Sequence, residues 1–379
     1  MRRITAWCLS AALLLGGLSG CGTARQSTAQ MQVAVSWSDM QPTDSVDLEY
    51  AECFSVDHYD GGYSLITVKD DARYLVVPEN ASVPDGLDAD IVVLQQPLDS
   101  IYLVSSSVMD QFVALDALDS ITLSGTRQDG YKGGRVDGVH AVNSDGDKIT
   151  INAKETILAS GCGLAIENTM IYHTPEVKEQ LEKLGIPVFV ERSSYEPHAL
   201  GRMEWIKVYG TLLGCEDKAE ELFADKVDGI VDILQKPAAG KTVSFFYITS
   251  NGAVNVRKST DYIAEMLSLA GGKYIFDDLT DDTAKSTVNM QMESFYAGAR
   301  DADVMIYNAT IDSELQTLDQ LLEKSTLLAD FKAVKTGNVW CTEKNLYQST
   351  MELDELIRDF HTVIADGDPS TLKYLHKLS

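Results

Sequence analysis

Histidine is scarce in this chain, at 6 of 379 residues, and no HxxxH or HxH pair occurs. A metal cage built from imidazoles is therefore not expected. The 6 cysteines are too few for a disulfide scaffold and fit neither a CxxC nor a zinc spacing. With 31 basic against 57 acidic residues, the formal net charge is −26. Such a chain is a poor partner for nucleic acid, which is held by Lys and Arg neutralising phosphates. It is an equally poor ligand for anionic lipid surfaces. No apolar run reaches the roughly 18 residues needed to span a bilayer. GxSxG, GxxxxGK[ST] and HExxH are all missing, so no catalytic machinery is read and the chain is not expected to be an enzyme. What is present is a 45% hydrophobic composition. At about 100–200 residues per domain, this length calls for two domains.

The first twenty residues read as a leader. Arg2 and Arg3 precede the apolar run Leu9–Leu18, which is too short to cross a membrane. It ends in Leu18-Ser19-Gly20-Cys21, which resembles the lipobox of bacterial lipoproteins, with Cys21 as the lipidated residue. The polar stretch that follows cannot bury enough apolar surface to fold, and residues 21–44 read as a flexible tether. The expectation is a membrane-anchored, extracytoplasmic protein that does not span the bilayer. Cys53, Cys162, Cys215 and Cys341 read as buried free thiols.

Beyond the tether the chain alternates strand and helix. Ser64–Val68 and Arg73–Val77 form a predicted hairpin, within a β-rich extension over 45–89. Ile91–Leu94 and Ile101–Val104 read as buried strands, and Ser105–Leu118 as a helix. A helix opens at Thr174-Pro175-Glu176 and stops at Gly185, followed by a strand at Val188–Val190. From His198 to Lys236 the apolar spacing is helical almost throughout. Alternation then resumes, with strands at Val243–Ile248, Val304–Tyr307 and Asn338–Cys341. Helices are predicted at Asp261–Leu269, Glu293–Ala299, Leu318–Glu323 and Leu353–Ile364, and a short last one at Thr371–Leu378. Two α/β lobes, 45–197 and 238–379, are thus joined by a helical segment at 198–237.

The order of these parts resembles the class III solute-binding proteins of ABC importers, which capture iron–siderophore, haem or cobalamin. The segments that carry the resemblance are Asn168–Pro187, Glu191–Lys207, Phe246–Ser259, Ala302–Tyr307 and Gly337–Cys341, within about residues 90–365. The resemblance implies two Rossmann-like lobes on a long rigid linking helix, with the ligand cleft between them. It also implies a monomer that works with an ABC permease and its ATPase. One segment departs from the family pattern. Asp129–Gly138 is loop-like, and Ala141–Ile151 reads as a hairpin with an Asp-Gly turn. Asp145 and Asp147 hint at calcium there, but the EF-hand spacing and its closing Glu are missing.

A cleft for a large, partly planar, often anionic chelate needs aromatic faces, polar donors and a few cations. The candidate ligand residues are Gln95, Gln96 and Ser106 after first-lobe strands, Tyr172 after the Asn168-Thr-Met-Ile segment, and Arg192, Tyr195 and His198 before the linking helix. In the second lobe they are Asn251, Arg257, Lys258, Trp340 and Tyr347. The bland reading makes His198 a helix-start hydrogen bonder, Trp205 a core residue and Arg202 a partner of Glu204 or of a helix carbonyl. Arg192 and Arg257 are the expected clamp on an anionic ligand. A ferric siderophore is the first expectation, then haem or a corrinoid, and no separate cofactor or protein-bound metal is expected. In the family each lobe presents one carboxylate to the permease, and Glu155 and Glu293 take those positions. Two other classes stay open at this point: a two-lobed sensory or adhesive surface lipoprotein without transport, and a surface hydrolase.

Overall fold

A computed structural model describes residues 35–126, 154–280 and 286–379, all within one unit, Val35–Ser379. The leader, Cys21 and most of the tether lie outside the described residues, as do the loop and hairpin expected over 129–151.

The extension is a sheet of its own. β1 (Pro42–Ser45), β2 (Phe54–Tyr59), β3 (Tyr63–Val68) and β4 (Arg73–Val77) pair antiparallel in sequence order. The predicted hairpin is β3–β4. β5 (Ile91–Gln95) then joins β4 in parallel. This moves the strand expected at Ile91–Leu94 out of the α/β layer and onto the extension sheet. Both faces of the sheet are covered: Leu65 and Leu75 pack on one side, Ile66, Tyr74 and Val76 on the other, as the two-residue period of a strand requires.

The first α/β layer follows. β6 (Ile101–Leu103) leads to α1 (Met109–Ala114), shorter than the helix expected over 105–118, and then to β7 (Ile121–Ser124). α2 (Lys154–Ala159) precedes β8 (Leu164–Asn168), and α3 (Pro175–Lys183) precedes β9 (Val188–Glu191). The strands run parallel in the order β7-β6-β8-β9.

The linking segment consists of three helices. α4 (Ala199–Glu204), α5 (Ile206–Leu213) and α6 (Glu216–Leu234) are separated at Trp205 and at Gly214. Gly214 takes φ of +70°, a left-handed conformation that glycine reaches without the steric cost a Cβ would bring. The apolar period continues across the breaks because all three helices pack on the same core. That core runs from the extension through Trp205, Tyr209 and Ile230 into the second lobe.

The second lobe holds the third sheet. β10 (Thr242–Ile248) turns into β11 (Val254–Arg257), then come α7 (Tyr262–Leu269), β12 (Lys273–Tyr274), β13 (Thr287–Met290) and α8 (Met292–Ala299). β14 (Val304–Tyr307), α9 (Leu318–Lys324), α10 (Lys332–Thr336), β15 (Val339–Thr342), α11 (Leu353–Ile364) and β16 (Leu375–Lys377) complete it. The order is β13-β11-β10-β14-β15-β16, with β12 beside β10, and β10, β14 and β15 run parallel. The last segment corrects the helix expected at Thr371–Leu378. Leu372, Leu375 and Leu378 fit a helical spacing, but a segment this short is not a stable helix alone. Pairing antiparallel with β15 buries Leu375 and Leu378 instead. Among the described residues no helix is long and apolar enough to cross a membrane.

Candidate ligand-binding cleft

Two buried carboxylates fasten the extension to the start of the linking segment. Glu204 Oε1 accepts the Glu49 N–H at 2.9 Å, and its Oε2 accepts the Tyr50 and Ala51 N–H groups at 2.9 and 2.8 Å. Lys207 Nζ donates to Glu204 Oε1 at 3.0 Å and to the Asp47 carbonyl at 2.7 Å. Glu196 accepts the Glu52 and Cys53 N–H groups at 2.8 and 2.9 Å and the Trp205 indole N–H at 2.9 Å. Gly201 lets the loop approach, since a Cβ there would stand 2.8 Å from the Tyr50 carbonyl oxygen.

Beside this joint, a cavity of about 420 Å³ opens between the lobes. From the first side it is lined by Lys69, Tyr195 and Glu196, and from the second by Lys258, Asp261 and Tyr262. Cys53 also borders it, with a thiol pushed up to about 11 by burial and by the Glu196 carboxylate, so it stays protonated at neutral pH. Three acids also line it, Glu52, Glu196 and Asp261. Glu196 holds backbone N–H groups, and Asp261 caps α7 by accepting the Ile263 N–H at 2.9 Å and lies 3.5 Å from Arg257. Lys69 and Lys258 are the cationic residues of the wall. The cavity combines one lysine and one tyrosine from each lobe, a set suited to an anionic ligand with a flat or apolar body.

Direct bonds hold the lobes around it. Thr350 Oγ1 donates to the Ser107 carbonyl at 3.0 Å, and the Met351 N–H donates to Asp110 Oδ2 at 2.8 Å. His198 Nε2 lies 3.0 Å from Glu265 Oε1, and the Arg202 guanidinium sits over the Tyr262 ring at 3.9 Å.

The sequence-derived candidates divide accordingly. Tyr195 and Lys258 line the cavity. Arg192 does not: it donates to the Asp70 carbonyl at 3.2 Å and covers the Tyr195 ring at 4.8 Å, so it backs the wall. Arg257 faces inward to Asp261 and the Phe245 ring, and the next residue, Lys258, reaches the cavity in its place. His198 is a helix cap, its Nδ1 accepting the Leu200 N–H at 3.1 Å, as the bland reading had it. Gln95 donates to the Pro78 carbonyl and Gln96 to the Leu212 carbonyl, and Gln96 lines a different cavity against the α5–α6 turn. Asn251 folds back on Thr249 in the β10–β11 turn. Trp340 is buried and donates to Asn338, under Lys377. Ser106 stands half-buried in the β6–α1 loop beside Ser107, which meets Thr350. Tyr172 and Tyr347 are exposed. Trp205 is core, and Arg202 pairs with an aromatic ring rather than with Glu204.

Lys69 and Glu196 were not foreseen. Lys69 lies in the extension, outside the region of family resemblance. Glu196 lies inside a matching segment but bears no mark of its distant backbone partners. One further pattern emerges. Of the exposed large apolar residues among those described, Met170, Tyr172, Tyr195, Ile311 and Tyr347 follow β8, β9, β14 and β15. Loops after parallel strands are where open α/β sheets bind ligands. Burial and the neighbouring Asp71 raise the Tyr172 phenol to about 12, so it is a hydrogen-bond donor at neutral pH.

Glu155, near the start of α2, and Glu293, near the start of α8, are both exposed. The four described cysteines are unpaired thiols, two buried and two half-buried. At the end of α2, Gly161 takes φ of +70° and the Gly163 N–H donates to the Ser100 carbonyl, so the Gly-Cys-Gly stretch is a packed helix-to-strand turn.

Residues 166–346 match the periplasmic binding protein family. An uncharacterized lipoprotein of Methanocaldococcus jannaschii is 24% identical over 95% of this chain and 95% of its own length. A second uncharacterized lipoprotein of that organism is 28% identical, and the match spans 51% of this chain but only 46% of that relative. Among solved structures, a periplasmic heme binding protein from Pseudomonas aeruginosa aligns with a TM-score of 0.57 at 18% identity, over 74% of this chain and 98% of its own. An ABC-type Fe3+-hydroxamate transport protein from Saccharomonospora viridis aligns with a TM-score of 0.53 at 19% identity, over 70% and 92%. At these identities the structural likeness establishes the fold.

Proposed function

We propose, from the match of residues 166–346 to the periplasmic binding protein family, that this chain is the extracytoplasmic solute-binding component of an ABC importer. It captures an anionic metal chelate, with a ferric siderophore first and haem or a corrinoid next, and delivers it to a membrane permease energised by an ATPase. The observation that carries this reading is the cavity between the lobes, where Lys69 and Tyr195 face Lys258 and Tyr262. The exposed apolar side chains after the parallel strands add the flat contact surface such a ligand requires. Glu155 and Glu293, one exposed acid on each lobe, are the proposed contacts with permease arginines.

The anchor is the lipidated Cys21. Cys21→Ala is expected to release the protein or leave it unprocessed, and unchanged partitioning of that variant into detergent would refute the anchor. The ligand is tested by native mass spectrometry and absorbance of the form lacking residues 1–21, mixed with haem, cobalamin and ferric siderophores in turn. One-to-one binding of any of them supports the reading. Binding of none would turn it towards a sensory or adhesive role.

A further inference from the structure

We propose that Glu314, Glu343 and His376 form a binding site for a divalent transition-metal ion of the zinc type on the second lobe, apart from the cavity between the lobes. None of the three lines that cavity. One donor atom from each lies within 4.8 Å of the other two. His376 Nδ1 stands 3.1 Å from Glu343 Oε1. Metal–nitrogen and metal–oxygen bonds of about 2.0–2.2 Å place neighbouring ligands of a tetrahedral ion about 3.3–3.6 Å apart, close to this separation.

The imidazole is already oriented for the task. Its Nε2 lies 2.7 Å from the Leu315 carbonyl oxygen. A carbonyl can only accept, so Nε2 carries the proton and donates. The other nitrogen, Nδ1, faces the Glu343 carboxylate at 3.1 Å, where either a proton or a metal ion must stand between the two. A backbone carbonyl that fixes the tautomer of a ligating histidine is the usual outer partner in metal sites.

The framework is rigid. His376 sits on β16, where it pairs with Cys341 of β15. The Glu343 N–H donates to the Tyr374 carbonyl at 2.9 Å. The Leu315 N–H donates to Cys341 Sγ, and Gln316 Nε2 donates to Glu314 Oε1 at 2.6 Å. Three chain segments thus bring three ligand groups to one place. One imidazole and two carboxylates suit a borderline ion such as Zn2+. All three side chains are half-buried, so the ion keeps a position open to water. Its effect would be to tie the last strand to the segment that follows β14.

The test uses the untagged exported form, with Zn2+ titrated against a chromophoric chelator and Co2+ absorbance as a second probe. One Zn2+ per chain is expected, together with a rise in melting temperature on adding the ion. Loss of an outer partner alone weakens metal sites by about 10–100-fold, so His376→Ala and Glu343→Gln are each expected to weaken binding by at least about tenfold. Both should also abolish the metal-dependent rise in melting. Glu343→Gln keeps shape and volume, so it reports on ligation even if His376→Ala perturbs the strand. No binding by the parent, or equal binding by parent and both variants, overturns the site and leaves His376 and Glu343 as a plain ion pair.

Discussion

Removing the Glu204 carboxylate tests how the extension is attached. The side chain is fully buried and accepts four hydrogen bonds, three from backbone N–H groups of residues 49–51 and one from the Lys207 ammonium. A hydrogen bond to a charged group contributes about 1.5–3 kcal/mol. The four bonds are not independent, however, and the half-exposed loop can rehydrate its N–H groups once the acid is gone. The loss for Glu204→Ala is therefore nearer that of a broken buried ion pair, about 3–5 kcal/mol. Against a total stability of about 5–15 kcal/mol this is a large fraction. Glu204→Gln is expected to recover little. It keeps one carbonyl oxygen but turns an NH2 towards donors that the second oxygen had accepted, so at least half the loss should remain. Urea unfolding at neutral pH, with an unchanged slope, measures the difference. Limited proteolysis should show the new weak point within residues 42–53. A loss below about 1 kcal/mol in Glu204→Ala would refute the attachment.

Other outcomes follow from the same geometry. Lys69→Met and Lys258→Met should each weaken an anionic chelate about tenfold, the scale of one charge-assisted contact; unchanged titrations in both would remove the lysines from recognition. Glu155→Ala and Glu293→Ala should bind solute and melt as the parent does yet fail in uptake, since exposed charges contribute little to stability; full uptake by the double variant would make them ordinary helix-start charges. Burial alone raises Glu167 from 4.5 to about 7. The native state thus holds a proton that the unfolded chain releases across that range, and the stability gained below about pH 4.5 is lost as pH rises through 7. Glu167→Gln should accordingly be more stable than the parent at pH 8, by about 3 kcal/mol, and no more stable at pH 4; an equal difference at both pH values would contradict this.

Much of the architecture is legible in local chemistry. The strand at Val304–Tyr307 and the helix at Leu353–Ile364 coincide with β14 and α11, because a short apolar run and a clear 3.6-residue period leave no competing arrangement. Pro175 and Gly185 bracket α3 for reasons that lie in their own backbones. Non-local information is what the sequence withholds. Ile91–Leu94 reads as a strand, but nothing in it says which sheet it joins. Thr371–Leu378 has leucines at helical spacing, and only the vacant edge of β15 makes β16 a strand. In the cleft, the right loops are legible but not the right side chains. Arg257 closes β11 facing Phe245 and Asp261, and only the next residue reaches the cavity, since successive side chains of a strand take opposite faces. The backbone donors held by Glu196 and Glu204 lie more than 140 positions earlier in the chain, and no periodicity links the two.

That last arrangement has an asymmetric bearing on how this protein can vary. The loop over residues 49–53 offers its main chain to the two acids, and nearly every amino acid carries the same N–H. Substitution within the loop can therefore proceed freely wherever the new side chain finds room, while the acids at 196 and 204 have almost no chemical substitutes. Proline is the exception, because it brings no N–H, and at any of those five positions it would unfasten the loop. A saturation library across both segments should accordingly show a tolerant stretch, closed only to proline, opposite two positions that accept almost nothing else.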